Sequence, residues 1–95
     1  MFYINVWLTV NDASNLTRVR ELLGQCARGS RAEDGCVRFE AYQSEADPKR
    51  FLLVEHWRTK DDWEAHRTRQ TVQEIYIPQV LPLVTRDAHP CSMIP

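Results

Sequence analysis

The stretch Phe2–Val10, FYINVWLTV, decides the fold. Its side chains form two alternating sets, which are Phe2, Ile4, Val6, Leu8 and Val10, and Tyr3, Asn5, Trp7 and Thr9. A two-residue period is typical of a β-strand. Large side chains occur in both sets, whereas a strand with one face in water shows a plainly polar second set. The pattern predicts a central strand covered on one face by helices of the chain and on the other by something the chain does not obviously supply.

The next segment predicts an amphipathic helix. Residues 11–14 offer helix-capping side chains, and apolar residues then recur at helical spacing from Leu16 to Ala27. Arg28 and Gly29 suit a helix C-terminus, because a cation is favoured in the last turn and glycine adopts positive φ easily. We expect the helix to end there and residues 31–35 to form a loop.

A β-hairpin is predicted after this loop. Residues 36–43 (CVRFEAYQ) alternate, and residues 50–58 (RFLLVEHWR) are rich in strand-forming side chains. The segment between them contains Asp47-Pro48, which favours a turn.

The last third of the chain predicts a helix and an incomplete strand. Thr59 resembles a helix cap, and the short helix after it carries Trp63 and His66. A helical period continues to Val80, but Pro78 lacks an N–H, so a kink or break is expected there. A final strand could begin near residue 83 or lie in the tail, where Pro90 limits it to an edge strand or an irregular piece.

The order strand, helix, strand, strand, helix, strand predicts an α+β fold. It is the ferredoxin-like βαββαβ arrangement, an antiparallel sheet with helices on one face. The 95 residues are expected to form one domain, 1–95, whose residues 86–95 are an irregular C-terminal tail or an edge strand.

Composition excludes several partner classes. A formal net charge of -1 supplies no basic field for nucleic acid or anionic lipid. No apolar run approaches the roughly 20 residues that span a bilayer, and residues 1–10 do not resemble a signal peptide, so a cytoplasmic protein without membrane contact is expected. Three widely spaced cysteines predict reduced thiols and neither disulfides nor zinc.

The candidate functional residues are polar groups among aromatic ones. His66, where the short helix should meet the sheet, is either a general base or a buried packing histidine. Asn5 is either a donor to a substrate oxygen or a partner of a neighbouring loop. Glu55 is costly to bury unpaired, so we expect Arg38 or Arg50 beside it.

Three aromatic residues could together line a pocket around these groups, although each of them alone could simply belong to the hydrophobic core. They are Trp57, Trp7 and Phe39. The spacing of the three histidines does not predict a metal site.

The sequence resembles the antibiotic biosynthesis monooxygenase family. The resemblance is carried by Ser30–Glu40 (SRAEDGCVRFE), by Asp47-Pro48 before Phe51–Trp57 (FLLVEHW), and by Glu64-Ala65-His66, and it extends from the first strand to about Leu83. It implies a subunit whose sheet packs against that of a second copy to form a dimeric α+β barrel, which would supply the missing cover.

The resemblance also implies an activity and site residues. The family is known for oxidising phenols, hydroquinones and polyketide aromatics with O2 and no cofactor, in a pocket between sheet and helices. His66 matches the family's helix histidine, and Glu55 and Trp57 match its strand pair. Asn5 matches a first-strand asparagine of some members. Haem-degrading relatives also need a later histidine, where this chain has Tyr76, so haem degradation is disfavoured.

The leading hypothesis from the sequence is therefore a homodimeric, cofactor-independent monooxygenase acting on a small aromatic or quinol-like substrate. In it, His66 and Asn5 are catalytic, and the substrate-binding residues are Trp57, Trp7, Phe39, Glu55 and Tyr76. The alternatives are a non-catalytic ligand-binding module on the same scaffold and a non-oxidative isomerase like the autoinducer-processing relatives.

Overall fold

The computed structural model describes residues 1–95 and confirms the ferredoxin-like α+β fold. The strands are β1 (Phe2–Val10), β2 (Cys36–Gln43), β3 (Arg50–Trp57) and β4 (Val84–Cys91). The helices are α1 (Leu16–Arg31), α2 (Lys60–Arg67) and a π-helix (Thr71–Val80), with short 3₁₀ turns at Ala13–Asn15 and Leu81–Leu83.

The four strands form one antiparallel sheet in the order β2-β3-β1-β4. The prediction that the first strand is central is confirmed, since β1 pairs with β3 on one side and β4 on the other. β4 lies at the edge, as Pro90 requires, because proline cannot donate to a sheet ladder. Of the two predicted alternatives, an edge strand or an irregular piece, the structure has the edge strand: β4 pairs with β1 through Pro90, opposite Ile4, to Cys91.

The alternation in β1 sorts side chains onto two faces. Ile4, Val6, Leu8 and Val10 are buried on the face that the helices cover, which we call the helix side. They pack against the apolar stripe of α1, which comprises Val19, Leu22, Leu23, Cys26 and Ala27. The other set, from Tyr3 to Thr9, is only half-buried on what we call the outer face. No element of this chain covers the outer face.

Gly29 does not end α1 as predicted, and the glycine with a positive φ is Gly35. α1 does not end at Gly29 but continues to Arg31, and a Cβ on Gly29 would lie 2.4 Å from Thr71 Oγ1. Gly29 therefore allows α1 and the π-helix to approach closely. The positive φ belongs to Gly35, at 87°, where a Cβ would also lie 2.5 Å from Asp62 Cγ.

Pro78 changes the winding of the helix without breaking it. The segment is a π-helix, and the N–H of Leu81 bonds to the carbonyl of Tyr76, five residues earlier. An α-helix would have left the Glu74 carbonyl without the N–H of Pro78, and here the side-chain amide of Gln79 donates to that carbonyl at 3.0 Å. The predicted kink or break is thus replaced by a wider turn.

None of the helices combines the length and the apolar character needed to cross a membrane.

The two glycines inside α1 give a matched stability test. We expect Gly29→Ala to lower the free energy of unfolding by about 2 kcal/mol, because the new methyl group overlaps Thr71. Gly24→Ala should raise it by up to about 1 kcal/mol, since its Cβ would meet only the flexible end of Arg28, at 3.2 Å.

Denaturant unfolding of the two variants and of Gly29→Ala/Thr71→Ala measures both effects. Removing the Thr71 hydroxyl and methyl should restore part of the loss. Equal stabilities of the two single variants would show that α1 and the π-helix are not in close contact at Gly29.

Candidate functional site

His66 is buried on the helix side and is held by a carboxylate. It lies in the last turn of α2, a helix that Thr59 caps by accepting from the N–H of Asp62. Its Nδ1 lies 2.8 Å from Glu33 Oε1, and the two side chains are 7% and 9% exposed. Because a carboxylate oxygen only accepts, Nδ1 carries the hydrogen and Nε2 presents a lone pair. The arrangement is the carboxylate–histidine pair that orients many catalytic bases.

The surroundings of His66 keep it neutral. Its ring lies 4.5 Å from that of Trp57 and 5.9 Å from that of Phe39. Burial lowers the pKa of His66 below 6.5, and this outweighs the opposing effect of Glu33. Nε2 makes no hydrogen bond within the chain. It is nevertheless not fully buried, because the only fully buried side-chain polar atom that lacks a hydrogen-bond partner is the Ser30 hydroxyl. A neutral imidazole with an unpaired nitrogen can accept a proton.

Glu55 is a second buried titratable group on the helix side. Its Oε1 accepts from the indole Nε1 of Trp57 at 3.0 Å. Burial raises the pKa of Glu55 to about 7, against the opposing effects of that hydrogen bond and of the Arg86 charge. A carboxyl with this pKa changes its protonation near neutral pH.

The predicted partners of Glu55 are wrong. Arg38 and Arg50 alternate with the helix-side residues of their strands and so lie on the outer face. Arg38 pairs with Glu40, and the guanidinium of Arg50 lies 4.4 Å from the ring centre of Trp7. The cation that affects Glu55 is Arg86 of β4, and it forms no ion pair with it.

Tyr76 joins the helix-side group from the π-helix. Arg86 Nε donates to the Tyr76 hydroxyl oxygen at 3.1 Å. Burial raises the pKa of Tyr76, so the phenol keeps its proton at neutral pH.

Asn5 and Trp7 lie on the outer face, away from His66. The Asn5 amide donates to Cys91 Sγ at 3.4 Å across the β1–β4 pair. The structure thus brings together five of the seven residues singled out in the sequence: His66, Trp57, Phe39, Glu55 and Tyr76. The expected convergence of Asn5 with His66 is wrong, because odd-numbered residues of β1 face away from the helices.

His66 does not line any of three surface cavities of this structure. A cavity of 680 Å³ is lined by α1 and the β2–β3 turn. A second, of 350 Å³, is lined by Arg31 and residues 36–40 of β2. A third, of 360 Å³, lies between the end of α1, at Gly29, Ala32 and Glu33, and residues 69–71. Only the third touches the pair, through Glu33. Trp57, which is fully buried, and His66 fill the space between sheet and helices in this conformation.

Comparison with known families gives one clear match. The family model described as antibiotic biosynthesis monooxygenase matches residues 1–76. The chain belongs to this family. That confirms the resemblance read from the sequence, which rests on the loop before β2, the hairpin and the α2 histidine.

Solved structures show that the family fold extends over the whole chain. One antibiotic biosynthesis monooxygenase has a TM-score of 0.91 at 14% identity, with full coverage of both chains. Proteins from Nitrosomonas europaea and Deinococcus radiodurans, both assigned provisionally to the same activity, have TM-scores of 0.86 and 0.79. Their identities are 22% and 23%, covering 97% of this chain in each case and 98% and 94% of theirs. No curated protein matches the sequence.

Sequence reasoning missed two residues of this site, Glu33 and Arg86. Glu33 lies just after α1, in a stretch without hydrophobic periodicity. The only signal for it is its position within Ser30–Glu40, one of the segments that resemble the family. Arg86 could have been found from alternation, since counting from the buried Val84 puts it on the helix side. The expected irregularity near Pro90 obscured that count.

The raised pKa of Glu55 predicts a pH-dependent stability. With a folded pKa of about 7 against 4.5 for an unperturbed glutamate, the folded protein binds more protons than the unfolded chain between these values. The contribution of Glu55 is therefore fully present below about pH 4.5 and is lost as pH rises through 7. Glutamine is a neutral isostere of glutamate, so the free energy of unfolding of Glu55→Gln does not carry this pH dependence. The difference between Glu55→Gln and the wild type should therefore shift by about 3 kcal/mol in favour of the variant between pH 4.5 and pH 8.

Denaturant unfolding of both proteins at pH 4.5, 6 and 8 and one protein concentration measures this difference. Glu21→Gln is the control, because Glu21 is exposed on α1 and forms no ion pair. A pH-independent difference between Glu55→Gln and the wild type would contradict the protonation of Glu55.

Proposed function

We propose that this protein is a monooxygenase that oxidises a small phenolic or quinol-like aromatic with O2 and no bound cofactor, using His66 as base. Membership of the family and the buried Glu33–His66 pair support the proposal, and the pair is the observation that carries it. An oriented, neutral imidazole among aromatic side chains is suited to taking the proton of a phenol.

The proposed reaction needs no external reductant. His66 Nε2 removes the phenol proton, and Glu33 stabilises the imidazolium through Nδ1–H. The electron-rich anion transfers an electron to O2, and the resulting radical and superoxide join at a ring carbon as a peroxide anion, which takes the proton back from His66 to become a hydroperoxide. Loss of water from it leaves a quinone, so one oxygen atom enters the product and the other becomes water. The substrate itself supplies the electrons.

The aromatic side chains on the helix side would hold the ring. Trp57 and Phe39 flank His66, and Tyr76 and the Trp57–Glu55 hydrogen bond lie on the same side of the sheet. In this conformation Trp57, Phe39 and His66 are buried, so binding of a ring against them requires the helices to move outward over the sheet. The π-helix is the element suited to this, since its widened winding is less well packed than an α-helix.

A second candidate is a ligand-binding module without turnover, which would use the same aromatic side chains. That protein would bind an aromatic molecule on the same scaffold without consuming O2. An isomerase would convert its ligand without O2.

Oxygen uptake tests the three alternatives. With a panel of naphthols, hydroquinones and phenols, we expect uptake that falls about 100-fold in His66→Ala and about tenfold in Glu33→Gln, because a positioned base contributes about 10²–10⁴-fold. His56→Ala is the matched control, since His56 lies on the outer face and should leave uptake unchanged.

Three outcomes are informative. Uptake that His66→Ala leaves unaltered would contradict the role of His66. Binding without uptake, observed as a ligand-dependent rise in melting temperature, would favour the binding module. Conversion under argon would favour the isomerase.

We also propose that the outer face is the interface of a homodimer. Its centre is formed by half-buried apolar and aromatic side chains from two adjacent strands: Tyr3, Trp7, Leu52 and Val54. Polar side chains of β2 and β4 flank this centre, as expected for an interface with an apolar middle and a polar rim. A second copy supplies the cover that the alternation of β1 demands.

Light scattering checks the dimer. We expect twice the chain mass of 11.1 kDa at micromolar concentration and a monomer for Val54→Asp, because each copy would bury an unpaired carboxylate at the centre of the interface. Ile77→Asp is the control, since Ile77 is exposed on the π-helix. A wild-type protein of 11.1 kDa would exclude this interface.

A further inference from the structure

The helix side of β4 is open beyond its first residue. Val84 is buried, but Arg86 is exposed, Ala88 is only half-buried, and Pro90 is exposed, all on the side where the helices cover the other strands. Small side chains at Ala88 and Pro90 leave a shallow strip along the sheet edge. Pro90 lies four positions after Arg86 in the strand, so the strip is about 13 Å long.

Both ends of this strip carry groups suited to a ligand. At one end, Arg86 Nε donates to the Tyr76 hydroxyl, and Arg86 has no carboxylate partner, so its terminal N–H groups are free. At the other end, beyond Pro90, the rings of Phe2 and Trp63 are stacked at 5.0 Å. The strip therefore has a cation at one end and an aromatic wall at the other.

The Tyr76 hydroxyl is oriented by its bond to Arg86. Because its oxygen accepts from Arg86, its own hydrogen is left to donate, and no acceptor in the chain takes it. Burial keeps this phenol protonated. A guanidinium and a hydroxyl, both hydrogen-bond donors, thus lie at the same end of the strip. Two such donors bind an anionic oxygen more strongly than they bind a neutral acceptor.

We propose that Arg86 and Tyr76 bind the acidic oxygen of an aromatic anion whose ring lies over Ala88. The ligand class is a planar aromatic carboxylate of one or two rings, whose carboxylate is a group separate from any phenol that His66 deprotonates. As a statement about substrate, this rests on the proposed function, because Pro90 lies opposite Ile4, whose partner on β3 is Glu55. As a statement about binding, it stands on the geometry of β4 and the π-helix alone.

Removing the charge of the ligand gives the direct test. Calorimetry with 1-naphthoate and with 1-naphthamide, its neutral analogue of the same shape, separates the acidic group from the ring. We expect the wild type to bind naphthoate more tightly, and Arg86→Gln to weaken naphthoate binding about tenfold or more with little effect on naphthamide, since charge-assisted hydrogen bonds are the strong ones.

Two further variants make the result specific. Arg20→Gln removes the same charge at the opposite edge of the sheet, where Arg20 bonds to Gln43, and should leave both affinities unchanged. Tyr76→Phe keeps the ring and should weaken naphthoate binding several-fold through loss of the hydroxyl donor. Unfolding curves of all variants show that each is folded.

Several results would overturn the proposal. They are the absence of naphthoate binding at millimolar concentration, equal binding by wild type and Arg86→Gln, and an equal loss in Arg20→Gln. These measurements need no turnover. Naphthoate binding that depends on Arg86 in a protein without oxygen uptake would therefore contradict the monooxygenase while leaving this site intact.

Discussion

The pleat of β1 is the constraint on which the rest of the molecule depends. Because successive residues of a strand point to opposite faces, the central strand divides the chain's chemistry in two. The even-numbered residues build the core with α1, and the odd-numbered ones form the outer face. A shift of one residue in its pairing would exchange the two faces, so the register with β3 and β4 fixes both the site and the surface available to a second copy.

Burial on the helix side acts on two titratable groups in opposite senses and leaves both closer to neutral. It raises the pKa of Glu55 and lowers that of His66, because in each case the charged form loses more by leaving water. The helix side consequently holds a basic nitrogen and a carboxyl that changes its protonation near pH 7. Both properties follow from desolvation, and neither requires a bound ion.

Periodicity was enough to predict the first three strands and the first helix, because those features depend on local alternation, whereas the fourth strand was left between alternatives. It could not supply Glu33, whose pairing with His66 joins residues 33 positions apart in the chain. Asn5 was grouped with His66 because both are polar among aromatics, but the parity of Asn5 along β1 places it on the outer face. Parity within a strand is readable from sequence, whereas contacts between a loop and a helix depend on the completed fold.

Departures from ordinary local rules are concentrated on one side of this molecule. Glu55 is buried without a counter-ion, Pro78 lies within a helix that has widened to a π-helix, and Arg86 stands on a strand edge that the helices leave open. Each departure lowers stability, and a protein of 95 residues with a small core has little stability to lose. Ordinary alternatives were open at each position, since a leucine could replace Glu55 and an uninterrupted α-helix would pack more tightly. Such costs are expected where a site needs them, and the three residues lie on the helix side: Glu55 on β3, Arg86 on β4 and Pro78 in the π-helix. The same physics that makes this region the least favourable part of the fold therefore makes it the part most suited to binding.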